Sequence, residues 1–265
     1  MRAISLGYHD VLLSAPTTAT EAALRYTLDA TAFRHHLRVI AEKTFNMSSV
    51  CVLDQFRTWG VEVPVFLTFD DGCLSAHTIV ADELERHNCR GHFFVITDWI
   101  GRPGFLNEQQ ILDLHVRGHI IGSHTCSHPE RMSCLSWDTL IREWARSCSI
   151  LSGILGGEPV KVASVANGFY SQTVAKAAAA SGIEVLFTSE PTTKISIVDG
   201  CLVLGRYSVQ RHTPAASVGA IAGDGMWPRS LQNVRWQLKK LVKAVSGESY
   251  FAIRRFLLSG RCQDT

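Results

Sequence analysis

No stretch of this 265-residue chain approaches the ~20 consecutive apolar residues that a helix needs to cross a bilayer, so no spanning helix is expected. Charge of one sign is equally scarce. Lysine and arginine number 26 against 24 acidic residues, and a net charge of +2 gives no ground for a nucleic-acid partner. Eight cysteines occur, at 51, 73, 89, 126, 134, 148, 201 and 262, but none form a C-x-x-C pair. They read as free thiols in or near a core rather than as a metal or disulfide framework. Internal repeats and low-complexity tracts are missing too. Met1–Gly7 lacks a charged region followed by an apolar stretch and enters a strand pattern directly. That argues against a secretory signal and for a cytoplasmic setting, unless a native leader has been removed.

What is present is an ordinary globular composition, 46% apolar and 19% charged, in a chain long enough for one large core. Strand and helix patterns alternate. Residues 63–69 form an apolar run rich in β-branched and aromatic residues, too short for a helix, and predict a buried parallel strand. Phe33, Leu37, Ile40 and Ala41 mark one helical face, and a second helix is expected over 76–87. Asn107 and Gln110 have capping-box form for a third helix ending near Gly118. Ser136 caps a longer one with Leu140, Trp144, Cys148 and Leu151 along its buried stripe, and Ser171 opens an alanine-rich helix that stops at Gly182. Residues 185–188 and 203–212 return as strands. Repeated βα units of this kind predict a parallel sheet in a single α/β domain, and a barrel of ~250 residues fits the length. From Ala220 the pattern loosens, after which Val234, Leu238, Leu241, Val242 and Val245 recur at helical spacing. Residues 220–265 therefore read as a helical extension, packed on the barrel or used for docking. From Asn233 onward seven basic residues (Arg235, Lys239, Lys240, Lys243, Arg254, Arg255, Arg261) face only Glu248 and Asp264, the pattern of a solvated helix face.

Two short stretches carry the chemistry: Thr68-Phe69-Asp70-Asp71-Gly72 and His124-Thr125-Cys126-Ser127-His128. Each follows an apolar run, which places it at the carboxyl end of a strand, where α/β folds build their sites. Successive strand residues point to opposite sides, so Asp70 and Asp71 take different roles unless the chain turns at once. The histidines, four apart and followed by Pro129, suit a turn around an ion as well as one face of a helix. Two carboxylates and two imidazoles suffice to bind one divalent metal through three side chains and to leave one acid for proton transfer.

Those stretches read T-F-D-D-G and H-[ST]-x-x-H without a substitution. With Leu106–Ile111, Gly118–His124 and the segment from Leu135 through Glu143 to Leu151, they make the chain resemble the polysaccharide deacetylase family, the NodB-homology or carbohydrate esterase family 4 group, over roughly Arg2–Thr213. The resemblance implies a distorted (β/α)7 barrel related to the TIM barrel over 1–219, open on one side, with 220–265 as the extension. It implies Asp71, His124 and His128 as metal ligands and Asp70 as general base. Zinc is the default ion, with cobalt, nickel or manganese also suited to such a face. The reaction implied is removal of an acetyl group from a carbohydrate, an N-acetylhexosamine polysaccharide or its precursor.

The later motifs depart from the family. Where it has R-x-P-Y this chain has Ser164, Ala166 and Asn167, which leaves Asp70 without the family's arginine. Asn167 and Tyr170 are the candidates for oxyanion and substrate contacts, Arg206 for the missing positive charge, and His212 for the general acid. His9, in Tyr8-His9-Asp10, is expected behind the ligands or in packing. Cys126 is not expected to ligate, because the family places an ordinary residue there. Trp99, Phe105, Phe169 and Tyr170 are aromatics that could stack on sugar rings. Peripheral association with a membrane or with polysaccharide-synthesis machinery, through the basic C-terminal segment, is the partner expectation beside the carbohydrate itself. Two rival readings stay open: hydrolysis of O-acetyl esters or non-sugar amides, and a degenerate barrel that only binds glycan.

Overall fold

The computed structural model describes residues 1–14, 24–43, 63–223 and 225–238. Strand β1 (Ile4–Tyr8) is followed by the short β2 (Asp10–Leu12) and β3 (Thr27–Asp29), then by α1 (Ala30–Lys43), whose buried residues include Phe33, Leu37 and Ile40. The apolar run at 65–69 is β4 (Val65–Phe69), buried along its whole length as a strand covered on both faces must be. The helix expected over 76–87 opens with a π-helical turn, Ala76–Val80, before α2 (Ala81–Arg86). There follow β5 (His92–Val95), α3 (Glu108–Val116), β6 (Ile120–Ser123), α4 (Trp137–Ile154), β7 (Val162–Ser164), α5 (Gln172–Ala180) and β8 (Val185–Phe187). The chain continues with β9 (Ser196–Val198), β10 (Cys201–Leu204), β11 (Tyr207–Ser208) and α6 (Ala215–Ala222). The caps are the expected ones: Asn107 and Gln110 close a reciprocal capping box, and the Ser136 and Ser171 hydroxyls accept from Thr139 and Val174 N–H.

The strands join in the order β11-β1-β4-β5-β6-β7-β8-β10-β9, every pairing parallel except β10 with β9. Residues 201–208 form one strand broken at Gly205 and Arg206, with β10 pairing with β8 and β11 pairing with β1. The curled sheet thus meets itself through an interrupted strand, which makes seven barrel positions and leaves the closure loose. The expected strand at 203–212 is this broken pair. Phe66, Phe94 and Phe187 fill the interior, with His92 stacked on Phe94. Two larger apolar clusters lie between the sheet and the helices, one under α1, α2 and α3, the other under α4 and α5.

Residues 226–238 are helical. Val234 and Leu238, which share a face by spacing, are exposed. The side toward the barrel is polar: Gln232 donates to the Ser208 carbonyl and Asn233 to that of Pro191. Leu241, Val242, Val245 and the basic residues past 238 lie outside the described residues, as do Cys51 and Cys262. The six described cysteines are free thiols, and no described helix is long and apolar enough to cross a membrane.

Gly122 in β6 tests the packing of strand against strand. A Cβ there would come 2.6 Å from two ring carbons of Phe94 and 2.8 Å from the Val162 carbonyl oxygen, a backbone atom that cannot step aside. Gly122→Ala is therefore expected to lose about 1–3 kcal/mol of stability. Urea unfolding reads it, and an unchanged midpoint contradicts this packing.

Candidate active site

Three loops at the carboxyl ends of the strands build the site. Asp70 leaves β4 still in sheet register, its N–H on the Tyr8 carbonyl, and its side chain is buried. Asp71 then takes the left-handed conformation at φ 73°, and Gly72 repeats it at φ 73°. This immediate reversal lets two sequence neighbours serve one site, which an extended strand forbids.

The histidines lie on the loop after β6. Thr125 and His128 are also left-handed, at φ 68° and 55°, uncommon for any residue but glycine and more so for a β-branched threonine. Side chains hold the loop in place. Ser123 Oγ accepts from Thr125 N–H at 3.1 Å, and Thr125 Oγ1 from His128 N–H at 3.1 Å. From α4, Glu143 accepts from the N–H groups of Cys126 and Ser127 at 2.9 and 3.0 Å and from the Ser127 hydroxyl at 2.8 Å.

The result is convergence. His124 Nε2 lies 3.5 Å and His128 Nε2 3.7 Å from Asp71 Oδ1, and the ligand atoms of the three residues lie within 4.8 Å of one another. One carboxylate and two imidazoles at such separations fit a divalent ion with bonds of about 2.0–2.2 Å. His124 Nδ1 sits 3.0 Å from the Ser164 carbonyl oxygen, which keeps the proton on Nδ1 and leaves Nε2 to face Asp71. Burial, and after it the charge of His124, lowers the His128 pKa to about 4 against the pull of Asp71 and Asp70. His128 is therefore neutral at neutral pH, as a ligand must be.

Asp70 stands beside this group, Oδ2 4.0 Å from His124 Nε2, and is clamped by Arg206. Arg206 Nη1 donates to Asp70 Oδ1 at 2.7 Å and to Thr68 Oγ1 at 3.2 Å. Its Nη2 donates to Asp70 Oδ2 and Ser164 Oγ, each at 2.8 Å, and its Nε to the Thr188 carbonyl at 3.0 Å. All five guanidinium N–H groups thus have acceptors, and the side chain is only 3% exposed. Burial alone would raise the Asp70 carboxyl. The Arg206 charge, then that of His124, and the Arg206 hydrogen bonds outweigh it and hold Asp70 well below the usual carboxylate range.

The remaining sequence candidates divide. Asn167, left-handed at φ 54° in the turn Ala166–Gly168, donates to the Pro129 carbonyl at 3.3 Å and has Nδ2 3.5 Å from His128 Nδ1. Tyr170 is half-buried against the apolar cluster under α4 and α5. Trp99 packs on both His128 and Phe105, with ring centroids 5.5 and 4.8 Å apart. His9 stacks on Tyr26 at 4.6 Å, its buried Nδ1 has no hydrogen-bond partner, and its charge weighs on both Asp70 and His128. His212 is exposed, in a loop whose neighbours bond elsewhere: Arg211 N–H to the Arg25 carbonyl, and the Thr213 carbonyl to His36. Cys126 is buried outside the ligand group, its thiol pushed up by burial. Sequence reasoning passed over Glu143 as a loop anchor, because on α4 it reads only as a polar residue next to the buried Trp144.

Arg206→Met should leave the buried Asp70 charge uncompensated and cost about 3–5 kcal/mol near neutral pH. The sign of the pH dependence follows from the shift. With its pKa depressed in the folded state, Asp70 stabilises the wild type above the unfolded carboxylate value, and that contribution is lost as the pH falls. In the variant burial prevails, Asp70 protonates at higher pH, and the penalty is relieved on acidification. Urea midpoints of both proteins at about pH 7.5 and about pH 5 should converge as the pH drops. A gap that stays constant argues against the clamp.

Comparison with known proteins places this geometry. The family model for polysaccharide deacetylase matches residues 61–186. The putative polysaccharide deacetylase YxkH of Bacillus subtilis is 27% identical over 156 residues, 59% of this chain and 55% of that protein. The chain spans about half the length, or less, of the curated relatives it matches. Among solved structures, the Streptococcus pyogenes deacetylase PplD in complex with acetate superimposes with a TM-score of 0.67 at 20% identity, over 82% of this chain and 96% of that one. IcaB from Ammonifex degensii gives 0.65 at 23%, over 83% and 97%. At such identities the structural likeness is one of fold, a barrel carrying its loops at the carboxyl ends of parallel strands. Residues 61–186 thus match the polysaccharide deacetylase family, with both intact motifs inside the matched segment, and the barrel around them shares its fold with PplD and IcaB.

Proposed function

We propose that this chain is a metal-dependent deacetylase that removes acetyl groups from a carbohydrate, an N-acetylhexosamine polysaccharide or its precursor. The observation that carries the reading is the convergence of Asp71, His124 and His128 beside a carboxylate that is buried yet held ionised. Asp71, His124 and His128 would hold the ion, with zinc the default for such a donor set. The ion supplies Lewis acidity, polarising the acetyl oxygen and acidifying water, and this matters here because a carboxylate as acidic as Asp70 is a weak base.

Asp70 takes the proton of the attacking water, with Arg206 fixing both its oxygens in one orientation. The turn at Ala166–Gly168, stabilised by the Asn167 side chain, offers the donor for the developing oxyanion. The leaving amine needs a proton, and two histidines compete for that role. His9 has the better claim over His212, since it lies within electrostatic reach of Asp70 and His128 and keeps a ring nitrogen unengaged. Retention of all four side chains of the two motifs weighs against a barrel that only binds glycan, which has no chemical need of them.

Acetate release from N-acetylglucosamine oligomers tests the reading, with acetylated xylan as the ester comparison. Chelation should abolish release, and zinc or cobalt should restore it. Asp70→Asn should lower kcat about 10²–10⁴-fold with bound metal per chain unchanged, and His9→Ala should fall in the same range. His212→Ala should stay near wild type. Full turnover by Asp70→Asn, or a reconstituted protein inert on both substrates, rejects the proposal.

A further inference from the structure

The helix at 226–238 is mounted with its polarity reversed. Arg229 donates to the carbonyls of Ile221 and Gly223, Gln232 to Ser208 and Asn233 to Pro191, while Trp236 lies against the Gly168 turn, 3.4 Å from where a Cβ would stand. Ile221 and Gly223 close α6, whereas Ser208 ends β11 and Pro191 and Gly168 lie in the loops after β8 and β7, so the later turns of the helix lie at the end of the barrel that carries the Asp71-His124-His128 group. Its opposite stripe is apolar and open to solvent. Trp227, Leu231, Val234 and Leu238 follow i, i+4, i+7, i+11 spacing at 79, 39, 55 and 57% exposure, with Met226 beside them at 77%. A stripe with this spacing normally faces a core, and one left in water marks a contact surface.

Charge identifies the occupant. From Gly225 to Lys243 the sequence holds Arg229, Arg235, Lys239, Lys240 and Lys243 and neither aspartate nor glutamate. A second copy brought face to face on this stripe would add the same positive charge, which disfavours a dimer there. A tryptophan, a leucine and valine stripe and flanking cations are instead the composition of a helix lying in the interface of an anionic bilayer. We propose that residues 226–238 anchor the protein to anionic membrane surfaces, through the stripe of Trp227, Leu231, Val234 and Leu238, and so hold the mouth of the site beside the lipid.

Cosedimentation of the full chain with vesicles tests this without any substrate, so its outcome is separate from that of the deacetylase assay. Binding is expected to vesicles of phosphatidylglycerol and phosphatidylcholine, to weaken as salt rises, and to be much weaker to phosphatidylcholine alone. The double variant Leu231→Glu with Leu238→Glu, shown folded by circular dichroism, should partition about tenfold less or worse. In the wild type, brominated lipid should quench tryptophan fluorescence, and Trp227→Phe should remove most of that quenching, which gives a readout independent of the glutamate variants. The proposal is overturned if the wild type stays in the supernatant with anionic vesicles, or if the glutamate variant binds as the wild type does. It is equally overturned if sedimentation finds a dimer that the glutamate substitutions dissociate, because the stripe then belongs to a second copy.

Discussion

The buried pair of Arg206 and Asp70 is the constraint to which both the fold and the site answer. Taking two charges out of water costs several kcal/mol per ion, and mutual attraction offsets this only when the remaining donors and acceptors are also satisfied. Here they are: Thr68 on β4, Ser164 on β7 and the Thr188 carbonyl after β8 complete the guanidinium's contacts. One side chain therefore ties together strands that are not neighbours in the sheet. It also explains why the closing strand is broken. An unbroken strand through Gly205 and Arg206 would keep its ladder and alternate its side chains, whereas the break lets Arg206 turn into the mouth, with its own N–H on the Glu190 carbonyl. Ser164, standing where the related motif has arginine, is small enough to leave that volume to the guanidinium and still accept from it.

Around this rigid pair the loops are strained in a patterned way. Asp71, Thr125, His128 and Asn167 all have positive φ, and all four belong to the loops that form the site. Residues in such conformations cost of order 1–3 kcal/mol each and persist only where the surroundings over-determine them. For the loop after β6 the surroundings are local hydrogen bonds to Ser123, Thr125 and Glu143, so the strain at Thr125 and His128 is balanced a few ångströms from where it is stored. What it produces is direction: side chains that regular strands would spread over two faces are brought to a single point.

Much of this was legible in the sequence, and what was not has a common cause. The buried strand at 65–69 and the caps at Asn107, Ser136 and Ser171 follow from short-range patterns, in which spacing and residue type specify geometry, while the grouping of Asp71, His124 and His128 beside Asp70 was legible through two strand-end motifs and the family they resemble. Arg206 was readable only as a candidate charge, because its partner lies 136 residues earlier and nothing local announces that the strand breaks to deliver it. Glu143 is invisible for the same reason: its task is to accept from a loop 16 to 17 residues away. His9 and His212 look alike on paper, each a histidine at a strand end, and only the folded chain separates a ring stacked on Tyr26 and felt electrostatically by Asp70 from one exposed to solvent.

The reversed C-terminal helix belongs to the same logic. The loops following parallel strands present carbonyl groups at the carboxyl end of a barrel, and buried backbone acceptors require donors. A helix laid across them is held better by glutamine and asparagine, which donate to Ser208 and Pro191, than by leucines, which cannot, and Arg229 in turn closes the last carbonyls of α6. Once polar side chains are committed inward, helical geometry sends the apolar stripe of the same segment outward, so the spacing of the pattern marks the stripe but does not decide which side of the helix faces the barrel. The exposed face at 226–238 is thus a consequence of how the helix is mounted on the barrel.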